Sequence, residues 1–356
     1  MSNNLLQKVP ELTKTSKNFD MLLEQDGFSP ARREIDTIPQ TFIDKDGNFR
    51  KQFQSSEFNQ RFWELLLYKS FTENDFEVVN SSHESPDFEL EKDGLSVFVE
   101  AVSSNATDND KISLLLLRGL KSNLIESIKA FIGEQLLNQY SLKISNALYS
   151  KLQKEYWELD WVTDSPIIIA INSFHNPYTS MIPDAKIIEY LFKKKLNIKT
   201  DRSDNQKSEY SQTSGIEFNK RKKPSGFFNL PNSENISAVL FSNERPIWKF
   251  NRMGYLTSDS VKIIMHRYGF KYDAAPSALE PLEYSYQVNN QTHLESWNEG
   301  ISIFHNPNAK IPLNRDLFSD YRQIWIGDDG SYDGFMPDFF PFTSLTMMMT
   351  NEDSDK

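Results

Sequence analysis

The sequence predicts an α/β protein with one mixed sheet flanked by helices. An amphipathic helix comes first, over residues 57–71, with apolar side chains at helical spacing. Three extended segments follow it, at 76–80, 87–90 and 96–102. After further helical segments, the apolar run IIIAIN (167–172) is typical of a strand that is buried on both faces. The order helix, three strands, helix, strand predicts one sheet with helices packed against it.

Length and composition limit the class of protein. The chain has 356 residues, enough for one large domain or two, and 38% of them are hydrophobic, which is typical of a globular protein. No apolar run approaches the roughly 18–20 residues of a membrane span, and the first twenty residues lack the apolar core of a signal peptide. There are no cysteines, which excludes disulfides, thiolate zinc sites and cysteine nucleophiles. We therefore expect a cytoplasmic protein with no membrane partner.

The net charge of −11 argues against a nucleic-acid partner, because duplex binding relies on Lys and Arg at the phosphates. Two compact basic clusters favour such a partner instead: Lys193–Lys195 and Lys220–Lys223 (KRKK). A net-acidic protein can carry a basic groove. KRKK is therefore a candidate phosphate-contact segment, although a solvated loop explains it equally well.

Composition also suggests how the chain is divided. The first thirty residues are polar and predict a partly irregular segment, whereas 199–215 is polar without periodicity and predicts a flexible loop. The predicted units are an N-terminal extension (1–54), a core (55–245), a C-terminal α+β elaboration packed on the core (246–350) and a disordered tail (351–356).

Further elements are predicted around this core. Helical patterns cover about 111–137, 140–159 and 183–195, and a buried strand covers 236–242. Additional strands and loops make up the C-terminal half, with strand-like pieces at 246–250, 283–288 and 301–305.

Three carboxylates stand out in the predicted core. Glu64 lies mid-helix on a stripe with Tyr68 and Phe71, Asp87 follows Pro86 at a strand start, and Glu100 lies within SVFVEAV. An ionised carboxylate in such a buried strand is costly unless it is paired or holds a metal. The turn at 92–94 makes a hairpin of the two strands, so that Asp87 and Glu100, 13 positions apart, come side by side.

These residues resemble the PD-(D/E)xK nuclease superfamily, whose members share a restriction-endonuclease-like core. The resemblance rests on Glu64 in the first helix, Pro86-Asp87-Phe88 at a strand start, and Glu100-Ala101-Val102 on the next strand. It extends over about residues 55–175, where a helix and the core strand at 167–172 follow, and the later strands match only loosely.

The resemblance implies a metal-dependent nuclease that hydrolyses phosphodiester bonds with Mg²⁺ or Mn²⁺. Asp87 and Glu100 would hold the metal, with the Ala101 carbonyl as a third ligand, since Mg²⁺ prefers hard oxygen ligands. Glu64 would bind a second metal or orient a water molecule. Three carboxylates held close repel one another without a cation.

One departure concerns the lysine of the family motif, because Val102 stands at its position. In some members of the superfamily a lysine on a neighbouring helix takes its place. The candidates here are Lys143, Lys151 and Lys154, which share roughly one helix face, and we favour Lys151.

The function predicted from the resemblance is an endonuclease acting on DNA, in defence or DNA processing. A homodimer is a further expectation, because many nucleases that cut both strands work as dimers and the aromatic-rich C-terminal half could supply an interface. One alternative is a catalytically degenerate module that binds nucleic acid or protein. Another is a different acidic α/β hydrolase that uses Glu100 and Glu64 as acid and base.

Each residue also has a purely structural interpretation. Glu100 could form an ion pair with Arg118 or a lysine, and Asp87 could be an ordinary turn residue. His83, four residues before Asp87, is a weaker candidate for the site. The second Pro-Asp-Phe tripeptide, at 337–339, has no buried carboxylate on a hairpin partner, and we interpret it as structural.

Overall fold

The computed structural model describes most of the chain. The described ranges are 4–43, 47–79, 86–104, 134–162, 164–173, 179–182, 184–200, 206–212, 216–218, 221–223, 226–257, 263–273, 281–289 and 291–350. Arg118, His83, Lys220 and the predicted helix up to residue 133 lie outside these ranges. In the described part, no helix combines the length and apolar character needed to cross a membrane.

The elements form a mixed α/β structure, as predicted. The helices are α1 (Lys17–Glu24), α2 (Ser29–Asp36), α3 (Gln40–Ile43), α4 (Phe49–Gln54), α5 (Phe58–Glu73), α6 (Glu134–Leu152), α7 (Ala185–Phe192) and α8 (Pro246–Leu256). The strands are β1 (Glu77–Val78), β2 (Phe88–Lys92), β3 (Leu95–Ser104), β4 (Ile167–Ser173), β5 (Lys194–Thr200), β6 (Gln206–Gln212), β7 (Ile216–Phe218), β8 (Arg221–Lys223), β9 (Ala238–Ser242), β10 (Ile263–Lys271), β11 (Leu282–Gln287), β12 (Ile301–His305), β13 (Arg322–Ile326), β14 (Tyr332–Phe335) and β15 (Pro341–Thr350).

One eight-stranded mixed sheet dominates, in the order β1-β2-β3-β4-β9-β12-β13-β14. The hairpin β2–β3 is antiparallel, and β3, β4 and β9 run parallel to one another. Strand β12 runs antiparallel to β9 and parallel to β13. The C-terminal strands β12 to β14 therefore extend the same sheet that contains the β2–β3 hairpin.

Alternation along the strands divides the core into two layers. Val97, Val99 and Ala101 of β3 face a layer that contains α5 and the N-terminal helices. Phe98 of the same strand faces a second layer that contains α6 and α7. Because successive strand residues point to opposite faces, Glu100 projects toward α6.

The N-terminal segment is more ordered than its polar composition predicts. Phe19, Leu22 and Phe28 are buried in the α5 layer, with α1 and α2 around them. Asn251 of α8 accepts a hydrogen bond from the backbone N–H of Ala31 (3.1 Å), which fastens α2 to α8. The segment packs because a few apolar residues at helical spacing suffice to bury one face.

Two sequence predictions differ from the structure. The strand-like piece at 246–250 is wrong, because these residues begin helix α8, where Pro246 occupies the first turn. Nearly all of α8 is buried, so its sequence lacks the polar stripe that marks a surface helix. Of the loop predicted over 199–215, the described residues 199–200 and 206–212 instead belong to an antiparallel ribbon of β5 and β6. A polar ribbon is held by backbone hydrogen bonds and needs no apolar periodicity.

A separate sheet, β11-β10-β15, is joined to the main one by a buried charge network. The network contains three acids and three bases, all less than 9% exposed: Glu244, Lys249, Arg252, Arg267, Glu295 and Glu299. Arg252 donates two hydrogen bonds of 2.8 Å to Glu295. Arg267 donates one hydrogen bond to Glu244 (2.9 Å) and one to Glu299 (2.5 Å). Burial opposes ionisation, but Arg252 and Arg267 hold the pKa of Glu295 well below its ordinary value.

We expect Arg252→Met to lower the free energy of unfolding by about 3–5 kcal/mol, because it leaves buried carboxylates short of a partner. Lys310→Met is the matched control, since Lys310 pairs with Glu234 at 3.5 Å on the surface, where such a pair contributes about 0–1 kcal/mol. Urea unfolding of the two variants measures the difference. Equal small losses would show that the network stabilises no more than a surface pair.

Candidate active site

The site lies at the N-terminal end of strand β2. Phe88 pairs with Val99, so Asp87, just before β2, lies opposite Glu100. Ala101 extends past the end of β2, and its backbone N–H donates to Oδ2 of Asp87 at 2.8 Å. The Asp87 side chain thus replaces the strand partner that Ala101 lacks on this side.

Glu100 is the most enclosed carboxylate of the hairpin, with 4% of its surface exposed. Its Oε1 accepts a hydrogen bond from Nζ of Lys151, near the C-terminal end of α6. Its Oε2 is buried without a hydrogen-bond partner in the described part of the chain. Burial and the negative charges of Glu100 and Asp87 raise the pKa of the nearby Tyr156 hydroxyl, which therefore stays protonated.

Helix α5, in the layer on the opposite face of the sheet from α6, brings Glu64 close to Asp87 and Glu100. Arg61, one turn earlier, donates to Oε2 of Glu64 at 2.7 Å, and Gln60 donates to Oε1 at 2.9 Å. Spacings of three and four residues put these side chains on one face of the helix. Both oxygens of Glu64 are therefore hydrogen-bonded.

Gln60 links the helix to the strand. Besides Glu64, its amide nitrogen reaches the carbonyl oxygen of Ala101 (3.2 Å), and its amide oxygen accepts from the backbone N–H of Ser103 (2.6 Å). No feature of the sequence predicted a role for this residue. Its only signal was its position four residues before Glu64, which many surface glutamines share.

The electrostatics of the site raise the pKa values of Asp87 and Glu64. Burial raises the pKa of Asp87 well above its ordinary value, and the charges of Glu64 and Glu100 raise it further against the effect of Lys151. Burial also raises the pKa of Glu64, which Arg61 partly offsets. Ionisation of both Asp87 and Glu64 is therefore unfavourable unless another cation joins them.

The four predicted site residues meet at this end of the sheet: Glu64, Asp87, Glu100 and Lys151. Among the three candidate lysines, Lys151 is the one that contacts Glu100, whereas Lys154 lies exposed beyond the end of α6. Val102 is half-buried and packs with the α6 layer. The second Pro-Asp-Phe tripeptide differs as expected, because Asp338 is exposed while Phe339 packs on His293.

The donor set suits a cation that takes few protein ligands. No group of three or more acidic or histidine side chains in the described ranges is arranged to hold a metal ion by itself. Mg²⁺ is commonly bound through one or two carboxylates, with water and phosphate oxygens completing its shell. Asp87 and the unpartnered Oε2 of Glu100 fit that requirement, and the Ala101 carbonyl keeps a second lone pair besides the one that Gln60 engages.

Comparisons of the chain with protein-family models, curated proteins and solved structures find no match. The function of the protein is therefore inferred from the geometry and electrostatics of this site.

We expect Asp87→Asn to raise the melting temperature of the metal-free protein at neutral pH. The folded-state pKa of Asp87 lies above its ordinary value of 3.8, so the free energy of unfolding falls as pH rises from that value through the folded pKa. The amide abolishes this loss and still accepts from Ala101. Thermal unfolding in EDTA between pH 5 and 8 measures the effect.

The same variant should lose any rise in melting temperature that Mg²⁺ gives the wild type, because binding to the native state stabilises it. Asp338→Asn, in the exposed second copy of the tripeptide, is the control and should behave as wild type in both measurements. An Asp87→Asn protein that responds to Mg²⁺ like the wild type would exclude Asp87 as a ligand.

Proposed function

We propose that the protein is a metal-dependent nuclease of the PD-(D/E)xK kind, an endonuclease that acts on DNA. The observation that carries the proposal is the convergence of Asp87 and Glu100 on paired strands with the Lys151 ammonium on Glu100. Glu64 approaches the same carboxylates from α5. Two strand carboxylates and one lysine are the groups that this chemistry needs.

The order of elements supports a restriction-endonuclease-like core. Helix α5 precedes the strands β1 to β3, and α6 leads into β4, which lies parallel to β3. The two helices pack on opposite faces of the sheet. This is the arrangement that the resemblance implies for residues 55–175, with Lys151 delivered from α6 instead of from position 102.

Asp87 and Glu100 would hold Mg²⁺ or Mn²⁺, with the Ala101 carbonyl beside them. Such an ion supplies charge stabilisation at a phosphate and lowers the pKa of water. Lys151 donates one of its three ammonium hydrogens to Glu100, which leaves the others for a water molecule or a phosphate oxygen. Arg61 and Gln60 hold Glu64 in a fixed orientation toward this space.

A basic strand supports nucleic acid as the substrate despite the net charge of −11. Strand β8 consists of Arg221, Lys222 and Lys223 and pairs with β7, which lies beside α6, the helix that carries Lys151. A strand of this basic composition favours binding of a polyanion. Action on DNA, a homodimer and a cytoplasmic location are part of the proposal.

A second candidate is a module that binds nucleic acid without cutting it. Two observations favour it: Glu64 is fully hydrogen-bonded by Arg61 and Gln60, and Lys151 occupies one oxygen of Glu100. In that case the Lys151–Glu100 contact is a structural ion pair, which buried carboxylates commonly need.

Cleavage assays separate these functions. Plasmid, linear duplex, single-stranded DNA and RNA are incubated with the wild type in Mg²⁺, Mn²⁺ or EDTA. We expect cutting that requires the metal and is lost in Glu100→Gln, which removes a charge but little volume. Glu91→Gln, on the exposed face of the same hairpin, should cut as the wild type does.

The other outcomes are equally decisive. Cutting that persists in Glu100→Gln would refute the site, and cutting in EDTA would point to an acid–base hydrolase that uses Glu100 and Glu64. Salt-sensitive retention of one substrate without cutting would establish the binding module.

Lys151→Met should slow cleavage by about 10²- to 10⁴-fold, the usual range for a group that assists proton transfer. Lys154→Met removes the exposed lysine three residues later and should leave the rate unchanged. Single-turnover rates at saturating metal measure both variants, and thermal unfolding checks that they fold. A wild-type rate in Lys151→Met would leave Lys151 with only a structural role.

A further inference from the structure

A cavity of about 230 Å³ lies beside strands β12 and β13 of the main sheet, several strands away from the three carboxylates. It is bordered by Ser237, which precedes β9, by His305 at the end of β12 and by Trp325 of β13. Strands β4 and β9 lie between β3 and β12, so three strand spacings, or roughly 14 Å, separate the cavity from the Glu100 strand. The cavity is thus a separate feature from the candidate active site.

His305 presents a hydrogen-bond acceptor whose tautomer the surroundings fix. Gln323 donates its amide hydrogens to the carbonyl oxygens of Arg315 (3.1 Å) and Phe318 (2.9 Å), so its amide oxygen is the atom that faces Nε2 of His305 at 2.8 Å. Nε2 must therefore carry the proton, which leaves Nδ1 as an acceptor. Burial lowers the pKa of His305 to about 4, so the ring is neutral at pH 7.

This acceptor has no partner of its own. In the described residues no hydrogen bond involves Nδ1, and Nδ1 is not one of the fully buried atoms that lack a partner, so it is accessible from outside the protein. The other polar lining groups are already used, since Asn306 donates to two carbonyl oxygens and Ser237 donates to a third. A ligand in the cavity would meet one acceptor that lacks a donor.

Arg315 supplies a cation at the rim. Its guanidinium lies over the Trp325 ring, 4.2 Å from the centroid, and has no acidic partner in the part of the chain that the structure describes. Stacking on an indole orients the guanidinium while its N–H groups stay available. The remaining walls are apolar, formed by Pro307, Pro312, Leu313 and Ile326.

We propose that this cavity binds a nucleoside monophosphate. The apolar walls and Trp325 enclose the base, an N–H of the base donates to Nδ1 of His305, and the phosphate pairs with the Arg315 guanidinium. Every common base has an N–H donor, so the geometry selects the class of ligand and not one base. Arginine matches phosphate oxygens with two parallel hydrogen bonds.

The size of the cavity points to one nucleotide unit. Sites for drug-sized ligands span about 300–1,000 Å³, whereas this cavity measures about 230 Å³. A single base fills it and leaves the phosphate at the rim beside Arg315. The ligand is then a free mononucleotide and not a longer strand.

Calorimetry in EDTA tests the site with AMP, adenosine, ribose 5-phosphate, inorganic phosphate and a 5′-phosphorylated tetranucleotide. We expect AMP to bind more tightly than each of the other four. Arg315→Gln should weaken AMP binding about tenfold or more and bring it close to adenosine, because it removes a charged hydrogen bond. Trp325→Phe should weaken the binding of both AMP and adenosine, and that of AMP by more, because Trp325 also orients the Arg315 guanidinium.

Arg33→Gln is the control, because it removes an arginine on α2, away from the cavity, and should bind AMP as the wild type does. Equal affinities for AMP, ribose 5-phosphate and phosphate would overturn the proposal, since only surface charge would then be at work. Binding of the tetranucleotide alone, or unchanged AMP binding in Arg315→Gln, would also overturn it. No binding of any ligand would exclude the site.

Discussion

The backbone of Ala101 needs hydrogen-bond partners on the side where β2 has already ended, and the candidate site is built around that need. Asp87 accepts from its N–H, while Gln60 donates to its carbonyl oxygen and accepts from the N–H of Ser103. A buried strand cannot leave these groups unpaired without a substantial cost. The same contacts draw a strand carboxylate and helix α5 together, which brings Glu64 toward Glu100. The hydrogen bonds that pair the backbone groups of Ala101 and Ser103 thus also bring acidic side chains together.

Two buried charge clusters in the described residues, one around Glu295 and one around Asp87, differ in balance, and the pKa values of these two residues shift in opposite directions. Around Glu295, three acids meet three bases, and the neighbouring arginines lower its pKa although burial opposes this. Around Asp87, three acids meet Lys151 and Arg61, so one negative charge lacks a counterpart when all are ionised. Burial and that repulsion raise the pKa of Asp87. In the first cluster the acidic and basic groups are equal in number. In the second the acidic groups outnumber the basic ones, and a bound cation would balance the excess negative charge.

The sequence predicted the hairpin part of the site because strand geometry is local. A tight turn at 92–94 and strict alternation determine that Asp87 and Glu100 face each other, and helix spacing limited the lysine to three candidates. It could not predict Gln60, since a bridging amide has no distinctive pattern. Nor could it predict the charge network or helix α8, because Arg252 and Glu295 are 43 residues apart and a fully buried helix lacks a polar stripe. The predicted features arise within one hairpin, whereas the missed ones depend on contacts between distant segments.

In the proposed nuclease, Lys151 takes the place of a strand lysine, and the way that β3 is buried explains this replacement. Residues 100 and 102 point to the same face, and Val102 packs with the α6 layer. A lysine at 102 would have to bury its stem and ammonium beneath α6, at the expense of this apolar contact. From the last turn of α6, Lys151 instead reaches Glu100 while part of its side chain stays in contact with solvent, 22% exposed against 5% for the glutamate. The helix thus brings the ammonium to Glu100 and leaves the sheet surface apolar, so that Val102 is compatible with the proposed function.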